Sequence, residues 1–238
     1  MSLFRKLVGA ANAALLLLKR GRRVDPGSGP VRVNLGSGLA VAPGWINVDA
    51  SLSALLAGAP GPIQSLAWRA SGASRYYGRE AYRAILRGHR FVHHDLLAGI
   101  PFPDGSADVV FSGHFIEHID RDAARRLLRE VFRVLKPGGL LRVDTPDVAY
   151  AVGLYAKGER DRMLADYFFV EDEGNPFSRH RCLYDYDLLQ SMLQEAGFRE
   201  VVRRSFRVGR TPDLDRLEIQ APESLHVECR KPFSSPAS

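Results

Sequence analysis

The feature that most constrains this chain is a repeated alternation. Short apolar runs of strand length near 31–35, 45–48, 90–94, 107–112, 139–144, 200–207 and 225–230 alternate with helical patterns near 52–58, 78–87, 121–135, 146–167 and 185–196. Strands that alternate with helices in this way need a mostly parallel sheet covered on both faces. The expected fold class is therefore α/β, a Rossmann-like, doubly wound, mostly parallel sheet of about seven strands in a single domain. Two helix ends are clearly marked. The helix after Asp120 carries Ala124, Leu127, Leu128, Val131, Phe132 and Leu135 at 3–4 spacing and stops at Lys136-Pro137-Gly138-Gly139. The helix near 185–196 ends at Gly197, with Asp185 as its candidate cap.

Charge divides the chain unevenly. Arg5, Lys6, Lys19, Arg20, Arg22 and Arg23 lie within residues 1–23 without an acidic residue, and account for the whole net charge of +6. The other 27 Lys and Arg balance the 27 Asp and Glu, so the body is neutral. A nucleic-acid binder normally shows a basic face on its folded domain, so nucleic acid is disfavoured as partner. Leu7 to Leu18 form a 12-residue apolar run between basic pairs. A spanning helix needs about 20 residues, so this run reads as a short N-terminal amphipathic helix. It docks either on the protein's own surface, through Leu15 to Leu18, or peripherally on an anionic membrane. Residues 1–23 are thus a basic arm, 24–30 a linker, 31–231 the domain and 232–238 a flexible Pro/Ser tail. Two cysteines, Cys182 and Cys229, without CxxC or Cys/His spacing, argue against a disulfide framework or a structural zinc and for a cytoplasmic location.

Four segments carry candidate chemistry. Val31 to Gly38 is a strand running into a Gly-Ser-Gly turn, where glycine lets the backbone approach a nucleoside. A dinucleotide fingerprint would need Gly or Ala where Val41 stands, so the turn suits an adenosyl group better than a pyrophosphate. Trp45 to Asp49 is a strand ending in a carboxylate suited to both ribose hydroxyls, or to a plain turn. Asp95, closing His93-His94-Asp95-Leu96, is placed to hold an adenine amine, and the strand 107–112 delivers Ser112, Gly113 and His114 to the same carboxyl edge.

Together "VNLGSG", "GWINVD", "HHDL", "IPFPDGSADVVFSGHFIEHI" and "EVFRVLKPGGLLRVDTPD" resemble the class I S-adenosylmethionine-dependent methyltransferases over about residues 31–208. Within these the chain is similar to a short bacterial group associated with cell-surface polysaccharide synthesis. The resemblance implies S-adenosylmethionine as cofactor, with Asn34, Gly36, Ser37 and Gly38 along methionine and adenosine, Asp49 on the ribose, Asp95 and Leu96 at adenine, and Ser112 to His114 near the methyl donor. Two departures stand out: Asn34 replaces the usual acid, and only 36–44 connect the first two strands, too few for a crossover helix. Residues 50–89 are the expected replacement.

For a hydroxyl acceptor a base is helpful, and histidine suits neutral pH. His180 and His114 are the candidate bases, while His118 in Ile-Glu-His-Ile reads as packing or capping. His180 lies in a polar segment, 171–187, whose Arg179, Arg181 and Tyr184 are candidate acceptor contacts, the arginines for an anionic group. The expected reaction is O-methylation of a sugar or lipid-linked glycan. The alternatives are a small-molecule or lipid acceptor, or a cofactor-binding but inactive partner subunit.

Overall fold

The computed structural model describes residues 3–169, 179–219 and 223–233. Seven strands form one sheet: β1 Arg32–Leu35, β2 Trp45–Asp49, β3 Arg90–His93, β4 Ala107–Gly113, β5 Leu135–Pro146, β6 Arg199–Arg204 and β7 Ser224–Arg230, in the order β3-β2-β1-β4-β5-β7-β6. The first five run parallel, and β7 is antiparallel to both β5 and β6. Chain order reverses between β1 and β4, so a crevice opens outside the carboxyl ends of these strands, the usual ligand position in an open α/β sheet.

The expected strands all form. Each carries its own apolar run, and Val33, Leu35, Val48, Val110, Leu141 and Val143 are buried in one core. Two helices cover them with their periodic faces: α5 Arg121–Val134 through Ala124, Leu127, Leu128 and Val131, and α8 Tyr186–Glu195 through Leu189, Met192 and Leu193. Asp120 caps α5 by accepting from the Ala123 amide at 2.8 Å, and Asp185 caps α8 through the Leu188 amide at 2.8 Å.

No helix links β1 to β2. The helices that follow β2 instead are α2 Leu52–Leu55, α3 Gly61–Ala70 and α4 Arg79–Gly88, which enclose a small separate core of Ala67, Ala73, Tyr82 and Leu86. α3 was not expected, because Pro60-Gly61-Pro62 reads as a loop. Proline is tolerated in a first helical turn, where its missing N–H has no partner to lose. The expected helix 146–167 is broken into α6 Val148–Ala156, α7 Arg160–Met163 and a wide turn Leu164–Phe168. Gly158 supplies the left-handed stop at φ +82°. A further short helix, α9 Leu214–Leu217, precedes β7.

The basic arm folds as α1 Leu3–Leu18 and lies over the carboxyl ends of β2 and β3. Asn12 donates to the Ala50 carbonyl at 2.9 Å, His93 Nε2 lies 3.0 Å from Asn12 Oδ1, and Lys19 Nζ lies 3.1 Å from His93 Nδ1. Val8, Asn12, Leu16 and Lys19, at helical spacing, are half-buried, while Leu17 and Leu18 are 58% and 74% exposed. Of the run Leu15 to Leu18 only Leu16 therefore docks, on a mixed face with Val8, Asn12 and Lys19. Among the described residues no helix is long and apolar enough to cross a membrane. The tail 234–238 lies outside the described residues.

Candidate active site

A cavity of about 370 Å³ opens at the carboxyl edge of β1, β4 and β5. Its β1 end is made by the glycine turn. Gly36 has φ +63°, and a Cβ there would meet the Phe115 ring at 2.4 Å, so only glycine fits. The Gly38 amide donates to Asp49 Oδ2 at 2.8 Å, and the Ser51 amide to Asp49 Oδ1 at 2.7 Å. Asp49 thus pins the turn to the end of β2 and keeps further lone pairs for a ligand. Asn34, in place of the expected acid, is a brace: its amide donates to the Ala40 carbonyl at 2.7 Å and to Asn47 Oδ1 at 3.0 Å.

Of the expected cofactor contacts, Asn34, Gly36, Ser37, Gly38, Gly113 and His114 line the cavity. Asp49, Asp95, Leu96 and Ser112 are not among the lining residues; Asp49 stands behind the turn that it pins. Asp95 caps the turn Leu96–Ala98 through the Leu97 amide at 3.0 Å and lies 3.6 Å from Arg20, beneath the arm. Leu96 is a core side chain and Ser112 is buried at the end of β4. Tyr184 requires correction as an acceptor contact. It is 0% exposed, packs in the main core and donates to the Ile116 carbonyl at 3.4 Å, so its hydroxyl faces the interior. Arg179 and Arg181 are exposed and do not line the cavity; residues 171–178 of the segment 171–187 lie outside the described residues.

The other end of the cavity holds residues the sequence reading missed. Register pairs Arg142 with Glu228 and Asp144 with His226 across β5 and β7, all four buried. Asp144 Oδ1 accepts from Arg142 Nε at 2.9 Å and lies 2.8 Å from His226 Nδ1. Arg142 also donates to Glu218, whose carboxyl is raised by burial and then by the Asp144 charge beside it. Glu228, which accepts from the Arg210 and Thr211 amides and the Thr211 hydroxyl, is held below the usual range by these bonds and by Arg142, against its burial. A carboxylate only accepts, so Nδ1 of a neutral His226 carries the proton and Nε2 a free lone pair. Asp144, Glu218 and His226 line the cavity, and Asp144 Oδ2, His226 Nε2 and Ser37 Oγ are buried there with no partner among the described residues. Orphaned polar atoms at both ends suit a ligand that is polar at both ends.

Behind His114 stands a second cluster. His114 holds a left-handed φ of +48°, fixed by its amide donating to the Asp144 carbonyl at 2.8 Å. Its Nε2 pairs with Ser224 Oγ at 3.0 Å, and its Nδ1 lies 3.2 Å from Glu117 Oε1 without making a hydrogen bond to it. His180 does not line the cavity. Its ring lies 5.3 Å from that of His118, beside Glu117, and burial lowers its pKa.

A protein-family model described as a methyltransferase domain matches residues 60–143. A probable S-adenosylmethionine-dependent methyltransferase of Mycolicibacterium smegmatis is 45% identical over 108 residues, 45% of this chain and 34% of that protein. One of Mycobacterium tuberculosis is 36% identical over 121 residues, 50% of this chain and 37% of that protein. The aligned part thus spans about a third of the curated relatives' length. A solved S-adenosylmethionine-dependent methyltransferase from Archaeoglobus fulgidus overlays with a TM-score of 0.47 at 15% identity, covering 95% of this chain and 94% of that one. The fold assignment rests on the strand order and not on that overlay. The domain match and the relatives' names support a methyltransferase domain and imply S-adenosylmethionine as the cofactor.

Proposed function

We propose that this protein methylates a hydroxyl of a sugar or lipid-linked glycan, with His226 as general base and Asp144 as the residue that orients it. The observation that carries this reading is the bare Nε2 of His226, buried on the cavity with its tautomer fixed by Asp144. S-adenosylmethionine, when bound, supplies an activated methyl group on a cationic sulfonium. The protein must still exclude water, hold the acceptor in line and take the proton that leaves its hydroxyl. His226 Nε2 is placed to take that proton, and the resulting imidazolium is stabilised by Asp144. The cofactor's methionine and adenosyl parts fit toward the Gly36 to Gly38 turn and Asp49.

The test is a labelled-methyl screen against neutral glycans, glycans bearing phosphate or uronate, free small molecules and lipids. Transfer to a glycan hydroxyl supports the reading, and a preference for anionic glycans would bring in Arg179 and Arg181. Transfer only to small molecules or lipids replaces the acceptor. Cofactor binding without turnover on any acceptor favours an inactive partner subunit.

The exposed leucines of α1 favour a second element of the reading, peripheral docking on an anionic membrane at the cytoplasmic face, beside a lipid-linked acceptor. Basic residues near such a surface contribute about 1 kcal/mol each, and salt weakens them. Flotation checks this: full-length protein should rise with anionic vesicles at low salt and stay down with neutral ones. Equal behaviour with both vesicle types removes the membrane from the reading.

A further inference from the structure

We infer that Glu117, His118 and His180 form a divalent-cation site with two imidazole ligands and one carboxylate, set behind His114 at the edge of the cavity. Glu117 and His118 come from the turn Ile116–His118 after β4, and His180 from the chain returning toward α8. The two segments are tied by backbone bonds from the Arg181 amide (2.7 Å) and the Cys182 amide (3.2 Å) to the Glu117 carbonyl. Each of the three side chains offers one atom, and these atoms all lie within 4.8 Å of one another; His118 Nε2 is 3.8 Å from Glu117 Oε1.

Protonation geometry prepares the site for a cation. His118 Nδ1 faces the Arg179 carbonyl at 3.2 Å, and His180 Nδ1 faces the Tyr167 carbonyl at 2.8 Å. Carbonyls only accept, so both Nδ1 atoms carry hydrogen and both Nε2 atoms keep a lone pair. An outer hydrogen bond of this kind is the usual way a metal-binding histidine is oriented. Glu117 is fully buried, yet its Oε1 makes no hydrogen bond among the described residues. The Glu117 carboxylate has imidazoles of His114 and His118 at 3.2 and 3.8 Å and one hydroxyl donor, Thr145, at 3.4 Å; a buried carboxylate so sparsely bonded costs several kcal/mol, and a cation at this point lowers that cost. Bonds of about 2.0–2.2 Å to nitrogen and oxygen place tetrahedral ligand atoms about 3.3 Å apart, so the cluster closes by small side-chain movements.

The donor set selects the cation class. Two imidazoles and one carboxylate suit zinc or another first-row transition metal, whereas magnesium and calcium prefer all-oxygen shells. Three protein ligands leave a coordination position open for water or another oxygen ligand. The neighbouring group of Asp144, Glu218 and His226 also brings its ligand atoms together, but there the Arg142 guanidinium bonds both carboxylates and occupies the cation's role.

The inference stands apart from the methyl-transfer reading, and its test needs no turnover. Full-length, untagged protein stripped with a chelator is titrated with Zn²⁺ against a chromophoric indicator, and with Co²⁺ while its visible d–d bands are followed. One equivalent should bind. His180→Ala and His118→Gln should each weaken binding by about 10²-fold or more, since loss of an outer hydrogen bond alone costs 10–100-fold. Cys182→Ser and His226→Ala should leave it unchanged, and circular dichroism checks that each variant folds. No binding to the wild type, full binding in His180→Ala, or loss in Cys182→Ser overturns the site. Affinity of the metal-free protein for S-adenosylhomocysteine reports separately on the cofactor reading.

Discussion

The two ends of the cavity differ in how far they satisfy their polar groups. At the β1–β2 end the larger polar side chains are satisfied, with Ser37 Oγ left bare: Asp49 accepts two amides, and Asn34 is spent on Ala40 and Asn47. At the β5–β7 end Asp144 Oδ2 and His226 Nε2 are buried and bare. Satisfied groups fix a backbone shape, which is what holding a cofactor requires. Unsatisfied buried groups cost free energy in the resting protein, and a ligand or a transferred proton recovers it. The first end reads as a mould and the second as the place where bonds change.

The sharpest break in this comparison is His226→Ala. Turnover should fall by about 10²–10⁴-fold, the usual contribution of a positioned base, while calorimetry finds S-adenosylhomocysteine affinity nearly unchanged. If cofactor affinity falls in parallel, the bare nitrogen belongs to the mould and the division between the ends collapses.

Next in size is Arg142→Met, which probes the scaffold under the reactive end. Arg142 is 0% exposed and bonds Asp144 and Glu218. Removing one partner of a buried ion cluster leaves carboxylates uncompensated, at a cost of about 3–5 kcal/mol. Denaturant unfolding should show this loss. A change under about 1 kcal/mol would mean that Glu218, with its raised pKa, is already protonated and needs no countercharge.

Asp49→Ala tests the mould. Hydrogen bonds to a charged group are worth about 1.5–3 kcal/mol, so S-adenosylhomocysteine should bind more weakly by that amount. The loss should appear in affinity and not in turnover at saturating cofactor. Asp49→Asn sharpens the result, since it keeps an acceptor and loses the charge. Full affinity in both variants would show that the amides alone use the carboxylate.

The two ends also differ in how far the sequence reveals them. Gly36, Gly38 and Asp49 fall within 14 residues, the glycine turn after one apolar strand and the carboxylate at the end of the next, so local pattern suffices to place them. Asp144 and His226 are 82 residues apart and meet only through the register of β5 on β7. The available signal is the pair of alternations Arg142/Asp144 and His226/Glu228, charges at period two inside buried runs. Alternation gives the shared face but not which partner stands opposite. His180 is visible in the sequence as a candidate base, but its meeting with Glu117, 63 residues away, depends on how the chain returns toward α8. The strands were legible because each needs only its own side chains to bury, whereas α3 starts at a Pro-Gly-Pro run that fits a loop equally well and the break after α6 turns on the single Gly158.

The smallest effect concerns the arm, which covers the mould end and not the reactive one. His93 is buried between Asn12 and Lys19, and burial first, then the Lys19 charge, lower its pKa to about 4; Ala50 and Asp49 oppose this and His94 adds to it. The sign follows from comparison with an ordinary histidine near 6.5. Because the folded value is the lower one, the fold holds His93 neutral. Its contribution is complete above about pH 6.5 and shrinks as pH falls toward 4, where the folded protein at last binds the proton that the unfolded chain already carries. Between about pH 7 and 5 the docked arm should lose roughly 1–2 kcal/mol relative to a His93→Gln variant, which cannot titrate there. Amide hydrogen exchange across residues 8–19 reads the effect directly, because protection reports local opening. Protection in the wild type should decline over this range, while the variant's own decline is smaller. Identical pH dependence in the two proteins would mean that Asn12 and Leu16 dock the arm without the histidine, and that the mould end is covered at every pH.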